Sequence, residues 1–576
     1  MSGDARLWCD RLVRGLGQHE FDLYALSRSR RQEDEGRLPL PPHVRRVRTA
    51  PLWTAEQDGP AYGRRARRRF VESYGELAAV LCAGSGVGGP AGSGSGGAQD
   101  ADPSDGPDGS GRMADRFGSA LYGLAELARD EGGLAGALRS DSAVRTLEHA
   151  CRTPGAPAAA RAARVPDLLA VAAHLERALR PLSLDWYGDD GLGAADLCHA
   201  TAGGPAALPG LLARHFSDVP LLVTEYGVPL RAHYLAAGPE TAGPAVRTLL
   251  AAFHGRLAAE VYGRAAIITP GNAHTRRWQE RCGADRSRIR TVHPGLEAGR
   301  FTEVGEAPDR ADPDTLVWVG RTEPAKDLVS LLHAFAEVRK EEPKARLRVV
   351  GAPSGPEGLA YLGHCKALAA QLFPDEADGA HAVGDNPVAF EEIGGPEAPT
   401  LADAYASGSV VVLSSVVEGF PVGLAEAMLC ARATVSTDVG AVVEVIGGTG
   451  LVVPPRNPRA LAEACVALLR DPERRERLGA AARARALELF TVEQNIAAFH
   501  GIYLEIVSHC PVRRVVLDEA GEPLPFAAPA EAHVPGRWTG PTTRVAGRGG
   551  PGWALGVPPR PAPVRATPVT APEAAR

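Results

Sequence analysis

Two carboxylates, Glu418 and Glu426, stand with seven residues between them in VVVLSSVVEGFPVGLAE, residues 410–426. The apolar run Val410 to Leu413 ends in Ser414 and Ser415. A loop with Gly419, Phe420, Pro421, Val422 and Gly423 follows, and Leu424 to Leu429 are good helix formers. This order predicts a buried strand, a tight turn and a helix start. A helix N-terminus offers unpaired N–H groups and partial positive charge, which suits an anion such as a diphosphate. Carboxylates beside it can accept hydrogen bonds from sugar hydroxyls. A capped helix with two solvated acids is the plainer reading of the same residues. A second stretch, GRTEPAKD at 320–327, supplies cations. Gly320 lets the backbone turn closely. Arg321 and Lys326 can flank a diphosphate, one as a planar fork and one as a point charge. Exposed cations at a helix start are the alternative, although that position favours acids.

Such residues need strands that end beside one another. Strands are expected at Leu316 to Val319, Leu347 to Val350, Val410 to Leu413, Ala433 to Ser436 and Leu451 to Val453. Leu328, Leu331, Leu332, Phe335 and Val338 fall on one face of a helix between the first two, and Tyr361 to Leu372 and Pro458 to Leu469 read as helices. Strand and helix alternate, so residues 306–490 are expected to form a doubly wound parallel-sheet domain. Upstream, short units end in polar loops: Asp196 to His199, Val219 to Thr224 and Ala266 to Pro270. They predict a second parallel-sheet domain over 1–305. The fold class is therefore α/β, with two Rossmann-like domains facing a cleft where ligands bind. Thr224-Glu225-Tyr226-Gly227 is another loop after a strand.

The remaining segments frame these two domains. Asp4 to Leu16 reads as a helix, with Trp8, Leu12 and Leu16 on one face, and Phe21 to Leu26 as a strand. An α/β domain usually opens with a strand and a functional loop, so the expectation is a missing first strand and a misassigned start. Arg64 to Arg69 reads as a solvated helix face, because no aromatic ladder suggests nucleic acid. Residues 83–112 are Gly/Ser/Asp/Pro-rich and are expected to be a disordered insertion. They contain a GxGxxG match at Gly84, Gly86 and Gly89, after the apolar run Leu77 to Cys82. Pro90 and more glycine follow instead of a helix, so the match reads as chance. Arg116 to Arg180 is helical in pattern. Thr491 and Gln494 start a final helix over 491–510 that should cross back to the first domain. Residues 511–576 are expected to be a disordered tail.

Composition excludes several classes. At 576 residues the chain is too long for one core. A net charge of −6 implies no general affinity for polyanions. Nine scattered cysteines without a CxxC pair argue against a disulfide framework or zinc site and for a reducing cytosol. With no membrane-length apolar run and no signal peptide, a cytoplasmic protein is expected.

GRTEPAKD, EGFPVGLAE at 418–426 and STDVGAVVEVI at 436–446 together resemble a retaining GT4-type glycosyltransferase of GT-B fold, whose signature is E-x7-E. TVHPGLEAGRF at 291–301 resembles the family's interdomain segment, with His293-Pro294-Gly295 in place of Asn-Gly. WCDRLVRGL at 8–16 and LLVTEYGVPLRAHYL at 221–235 are similar to the PelF-like subgroup, with its DUF3492 N-terminal domain. The resemblance implies that Arg321 and Lys326 hold the donor diphosphate and that Glu418 contacts the donor sugar. It implies that Glu426 binds ribose hydroxyls. Backbone N–H groups of Phe420 to Leu424 would bind sugar and phosphate, with Gly320 and Gly419 shaping the loops.

No metal and no cofactor are implied beyond the nucleotide-sugar co-substrate. The donor would be a UDP-sugar, and the acceptor a glycan, lipid or small molecule. A role in exopolysaccharide synthesis beside a membrane export system would follow, with no nucleic-acid partner. Glu225 and Tyr226 would lie on the acceptor side, where many relatives carry a histidine. His199 reads equally as a cleft residue or a packed histidine. Two other readings stand beside this one. A GT-B epimerase or phosphorylase is disfavoured by the Arg/Lys and E-x7-E set. A non-catalytic subunit that binds nucleotide sugar or a partner is supported by the missing first strand and opposed by the intact donor residues.

Overall fold

In the computed structural model, the described residues are 4–27, 29–35, 39–51, 59–83, 107–188, 190–236, 243–307, 311–374 and 386–512. Contacts divide the chain into Met1–Ile506 and Val507–Arg576. Gly84, Gly86, Gly89 and the tail from 513 lie outside the described residues, and with them most of the expected insertion and tail.

Among the described residues eleven strands form three sheets, and every pairing between named strands is parallel. In the first half, β1 (Phe21–Ser27) pairs with β2 (Val44–Pro51), while β3 (Cys198–Ala200), β4 (Leu221–Glu225) and β5 (Ile267–Pro270) make a second sheet in that order. The second half holds β6 (Asp312–Val319), β7 (Arg346–Val350), β8 (Val388–Glu391), β9 (Gly408–Leu413), β10 (Ala433–Thr437) and β11 (Leu451–Val453).

Their order is β11-β10-β9-β6-β7-β8. The chain starts in the middle, runs to one edge through β7 and β8, returns to β9 and continues to the other edge. That is the doubly wound order, and its switch point lies between β6 and β9. The loops leaving these two strands are GRTEPAKD and the Ser414–Gly423 loop, so topology opens a crevice between them.

Both central sheets are buried on both faces, with the alternation a pleated strand requires. Leu316, Trp318, Val410 and Val412 enter one core cluster of the second half, while Val317, Val411 and Leu413 enter the other. In the first half Leu221, Val223 and Ile268 face a large helical core, while Leu222 and Ile267 face Trp8, Leu12 and Leu16. Phe499, Ile502, Tyr503 and Ile506 of the last helix, Val492–His509, join that second cluster. The last helix therefore packs on the first half, and the first helix, Asp4–Gly15, packs beside it.

One expectation needs correction, and three features went unread. The 83–112 insertion is too long, because helix Pro107–Glu131 begins inside it. The apolar run Leu77 to Cys82, to which the sequence assigned no element, is helical. It forms the last turns of helix Arg64–Cys82, whose Phe70, Tyr74, Leu77 and Leu81 are buried at helical spacing. The strand at Phe21 does not join the β3-β4-β5 sheet but pairs with β2, whose VRRVRTAP sequence hid it. β8 was missed because VAFE is short and follows a polar stretch.

Candidate active site

The two loops at the switch point are bound to each other. Val416 donates its N–H to Ala325 O at 2.9 Å, and Ser414 Oγ donates to Lys326 O at 2.8 Å. Lys326 Nζ meets Glu418 Oε1, which also accepts from Ser415 Oγ at 2.7 Å. Thr437, at the end of β10, donates its hydroxyl to Ser415 O at 2.6 Å. The Glu418 carboxylate is thus fixed in a nearly closed setting, with only 9% of the residue exposed. Asp327, at φ 47°, caps helix Leu328–Glu341 by accepting from the Ser330 N–H. This cap turns the chain so that Lys326 points back toward β9. Arg321 is exposed and makes no ion pair among the described residues.

Helix Val422–Leu429 starts directly after the loop, with Pro421 as N-cap and no side-chain cap. Its buried Leu424, Ala425, Met428 and Leu429 press one face into the core. Glu426 is left toward the crevice side, half-buried. The hydroxyl of Tyr405 lies 3.0 Å from both Glu426 Oε2 and Gly423 O. Tyr405 is fully buried, and burial beside Glu426 raises its phenol well above the usual range, so it stays a neutral donor.

Gly440 sits at φ +59°, and a Cβ there would stand 2.5 Å from Glu418 O. Ala441 donates its N–H to Gly419 O at 3.0 Å. A β10 loop that only glycine can make therefore backs the Glu418 turn.

The first half contributes the opposite wall. Arg231, in helix Pro229–Ala236 after β4, donates from Nη2 to Glu418 O at 2.8 Å. The Ala273 N–H, at the start of helix Ala273–Arg281 after β5, donates to Glu444 Oε2 at 2.6 Å. His293 donates from Nδ1 to Gly271 O at 3.1 Å, since a carbonyl only accepts, and its Nε2 lies 3.8 Å from Glu444 Oε1. Phe420 packs near the rings of His293 and Phe490. A side-chain carbon on Gly419 would come within 4.0 Å of Tyr226 O, so the two walls nearly touch.

Of the sequence-selected residues of the second half, the structure brings Lys326 and Glu418 into contact, sets Glu426 against Tyr405 in the helix that follows, and leaves Arg321 exposed. Those of the first half behave differently. Glu225 is buried, and its Oε2 accepts from Tyr262 and from Gln279 at 3.1 Å. Burial lifts its carboxyl to about 7. His199 has both ring nitrogens engaged, by Tyr503 at 2.8 Å and Thr224 at 2.6 Å, and burial lowers it to about 3. It is the packed histidine of the two readings.

The Tyr226 ring stands edge-on to Trp8 at 5.6 Å. The space it needs exists because Gly271 has no side chain, whose Cβ would meet Tyr226 Cδ1 at 2.2 Å. The side chains of Glu225 and Tyr226 thus pack inward, while the Tyr226 carbonyl faces Gly419 across the cleft. Sequence reasoning missed Arg231, His293, Tyr405 and Glu444. Arg231, His293 and Glu444 lay in quoted motifs, but nothing in their spacing said that they meet across the cleft.

Among the described residues no cluster of three or more His, Cys, Asp or Glu could hold a metal ion. None of their helices is long and apolar enough to cross a membrane. Two surface hollows, one beside Arg64, Arg67 and Arg68 and one beside Gly59, Gly133 and Arg180, are lined by none of the crevice residues.

Two Rossmann-like halves of parallel sheet, with two facing loops at the switch point of the second, define a GT-B architecture. Residues 313–471 match the family model Glycosyl transferases group 1, and residues 2–287 match a domain of unknown function, DUF3492. The two matches follow one another along the chain, the DUF3492 model over the first half and the group 1 model within the second.

It is 34% identical over 236 residues to a D-inositol 3-phosphate glycosyltransferase of Streptomyces bingchenggensis, covering 39% of this chain and 49% of that one. It is 36% identical over 217 residues to one of Frankia alni, covering 35% and 50%. The chain spans about half the length of the curated relatives it matches. Among solved structures, Anabaena HepE in complex with UDP and glucose is 17% identical with a TM-score of 0.42, covering 54% of this chain and 78% of that one. A sucrose-phosphate synthase from Thermosynechococcus elongatus is 20% identical with a TM-score of 0.44, covering 55% and 75%.

Proposed function

We propose that this protein transfers a sugar from a nucleotide-sugar donor, a UDP-sugar, to a hydroxyl of a glycan, lipid or small-molecule acceptor, with retention of configuration. The observation that carries the reading is the Lys326–Glu418 contact between the loops that leave β6 and β9, with Arg321 on the first loop and Glu426 in the helix after the second. Arg321 and Lys326 take the diphosphate, replacing a metal ion as the source of positive charge. Glu418 and the backbone of Gly419 to Leu424 hold the sugar and the β-phosphate. Glu426, oriented by Tyr405, holds the ribose hydroxyls.

The chemistry follows from where charge develops. As the bond from the anomeric carbon to the β-phosphate oxygen breaks, negative charge grows on that oxygen and positive charge on the sugar. Fixed donors at the phosphate stabilise the first, and each well-placed donor contributes about 2.7–4 kcal/mol. The acceptor oxygen attacks from the face the phosphate leaves, and its proton passes to the departing phosphate oxygen. Lys326 exchanges its pairing with Glu418 for the phosphate, which frees Glu418 for a sugar hydroxyl. A place in exopolysaccharide synthesis, a PelF-like lineage, peripheral attachment to an export system and a cytoplasmic site of action complete the proposal.

Hydrolysis and transfer should be measured with a panel of UDP-, GDP- and ADP-sugars, with the anomer of the product read by NMR. Release of the α-configured sugar from an α-linked UDP-sugar is expected. Release of the inverted anomer, or turnover of no sugar nucleotide, would count against the proposal, and nucleotide binding without turnover would favour a non-catalytic subunit.

A further inference from the structure

Helix Ala273–Arg281 carries His274, Arg277, Trp278 and Arg281 at spacings of three and four, so these side chains share one face. Its opposite face is buried through Thr275 and Gln279. The helix starts at the border with the second half, where Ala273 donates to Glu444. Helix Pro229–Ala236 starts at the same border, where Arg231 holds the Glu418 carbonyl. Tyr234 follows Arg231 by one turn.

The two helices turn these faces toward each other. The rings of Tyr234 and Trp278 lie 6.4 Å apart, and the Arg281 guanidinium lies 5.6 Å from the Trp278 ring centre. His274 is within electrostatic reach of Arg231, Arg277 and Arg281, and burial and these cations push its imidazole below the usual range.

Among the described residues, no acid is paired with the cations of this face. Arg276, on the next face, is paired with Glu280 at 2.9 Å. Arg277 is exposed and has no ion pair among the described residues, and His274 Nε2 is enclosed without a hydrogen-bond partner. Glu418 is committed to Lys326 and Ser415, and Glu444 to the Ala273 N–H. Gathering like charges without an acid is unfavourable unless an anion completes the set. Guanidinium forks match carboxylate and phosphate geometry, and exposed aromatic faces offer a platform for a sugar ring.

We infer that the face shared by Arg231, Tyr234, His274, Arg277, Trp278 and Arg281 is the acceptor subsite, and that the acceptor is a sugar bearing a phosphate or carboxylate group. The inference rests on the donor crevice proposed above, because the face opens at the same interdomain border. Arg231 and His274 stand nearest the donor loop, so the anion binds one turn further along, at Arg277, with the ring against Trp278.

The test is a calorimetric titration of the full chain, saturated with UDP, with glucose 6-phosphate, glucuronate and glucose. Both charged sugars should bind at least tenfold more tightly than glucose, and the preference should shrink in high salt. Arg277→Gln should reduce it to less than threefold, and UDP binding by the same variant checks its folding. Tighter binding of the phosphate or of the carboxylate would identify the charged group. Equal binding of all three sugars, binding of none, or an unchanged preference in Arg277→Gln would overturn the inference. If UDP itself does not bind, the donor reading has failed, and the same sugars titrated without UDP still decide this one.

Discussion

Among single residues, Tyr405 gives the most local test. It touches no ligand in the proposed arrangement, yet its hydroxyl sits between Glu426 and Gly423 O. A hydrogen bond to a charged group is worth about 1.5–3 kcal/mol. Tyr405→Phe should therefore weaken UDP binding about tenfold or more, measured by calorimetry, while far-ultraviolet circular dichroism is unchanged. Glu225 gives a second test, on stability. Its folded carboxyl is raised to about 7, so the folded state binds more protons than the unfolded one between pH 4.5 and 7. The stability this adds is present at low pH and is lost as pH rises through 7. Glu225→Gln removes that loss. The stability of the variant relative to the native protein should climb by about 1.4 kcal/mol per pH unit across this window, read from urea unfolding at several pH values. His199, held near 3, acts with the opposite sign and leaves this difference unaffected. The donor-side residues were legible because Arg321, Lys326, Glu418 and Glu426 lie in two short motifs. Tyr405 was not, because a lone buried tyrosine in LADAYA carries no mark of what its hydroxyl reaches.

Among the elements, the loop after β10 decides whether the crevice keeps its shape. Gly440 occupies a left-handed conformation against the Glu418 carbonyl. Gly440→Ala costs about 1–2 kcal/mol from the backbone alone, and more from the contact at 2.5 Å. The variant should remain folded, since the six-stranded sheet does not depend on this loop, but should lose measurable UDP binding. Retained affinity would show that the Glu418 turn does not need this support. Strands and helices of the second half were readable because they are buried on both faces and separated by helical periods. β2 was not, because half its residues point to solvent and its arginines mask the alternation. The cation-bearing helices Pro229–Ala236 and Ala273–Arg281 could be read as helices. Their meeting across the cleft depends on the packing of β4 beside β5, which no local pattern encodes.

For the whole molecule, the cleft is held from behind by the first and last helices. Trp8 packs against Tyr226 and Phe499 and donates from its indole N–H to Asn495 Oδ1 at 3.3 Å. Asn495 in turn donates to His293 O at 2.7 Å. Removing a buried aromatic side chain costs about 3–5 kcal/mol. Trp8→Ala should lower the thermal midpoint by several degrees and weaken UDP binding through the loosened His293 segment, read together in a thermal shift series with and without UDP. An unchanged midpoint would separate the first helix from the cleft. The central claim is that the crevice between β6 and β9 holds a nucleoside diphosphate through Lys326 and Glu426. Calorimetric titration of UDP into the native chain, Lys326→Ala and Glu426→Gln tests it most directly. Saturable binding by the native chain, weakened at least tenfold in each variant, is expected. Equal affinity in all three proteins, or no binding of UDP, GDP or ADP by the native chain, would contradict it.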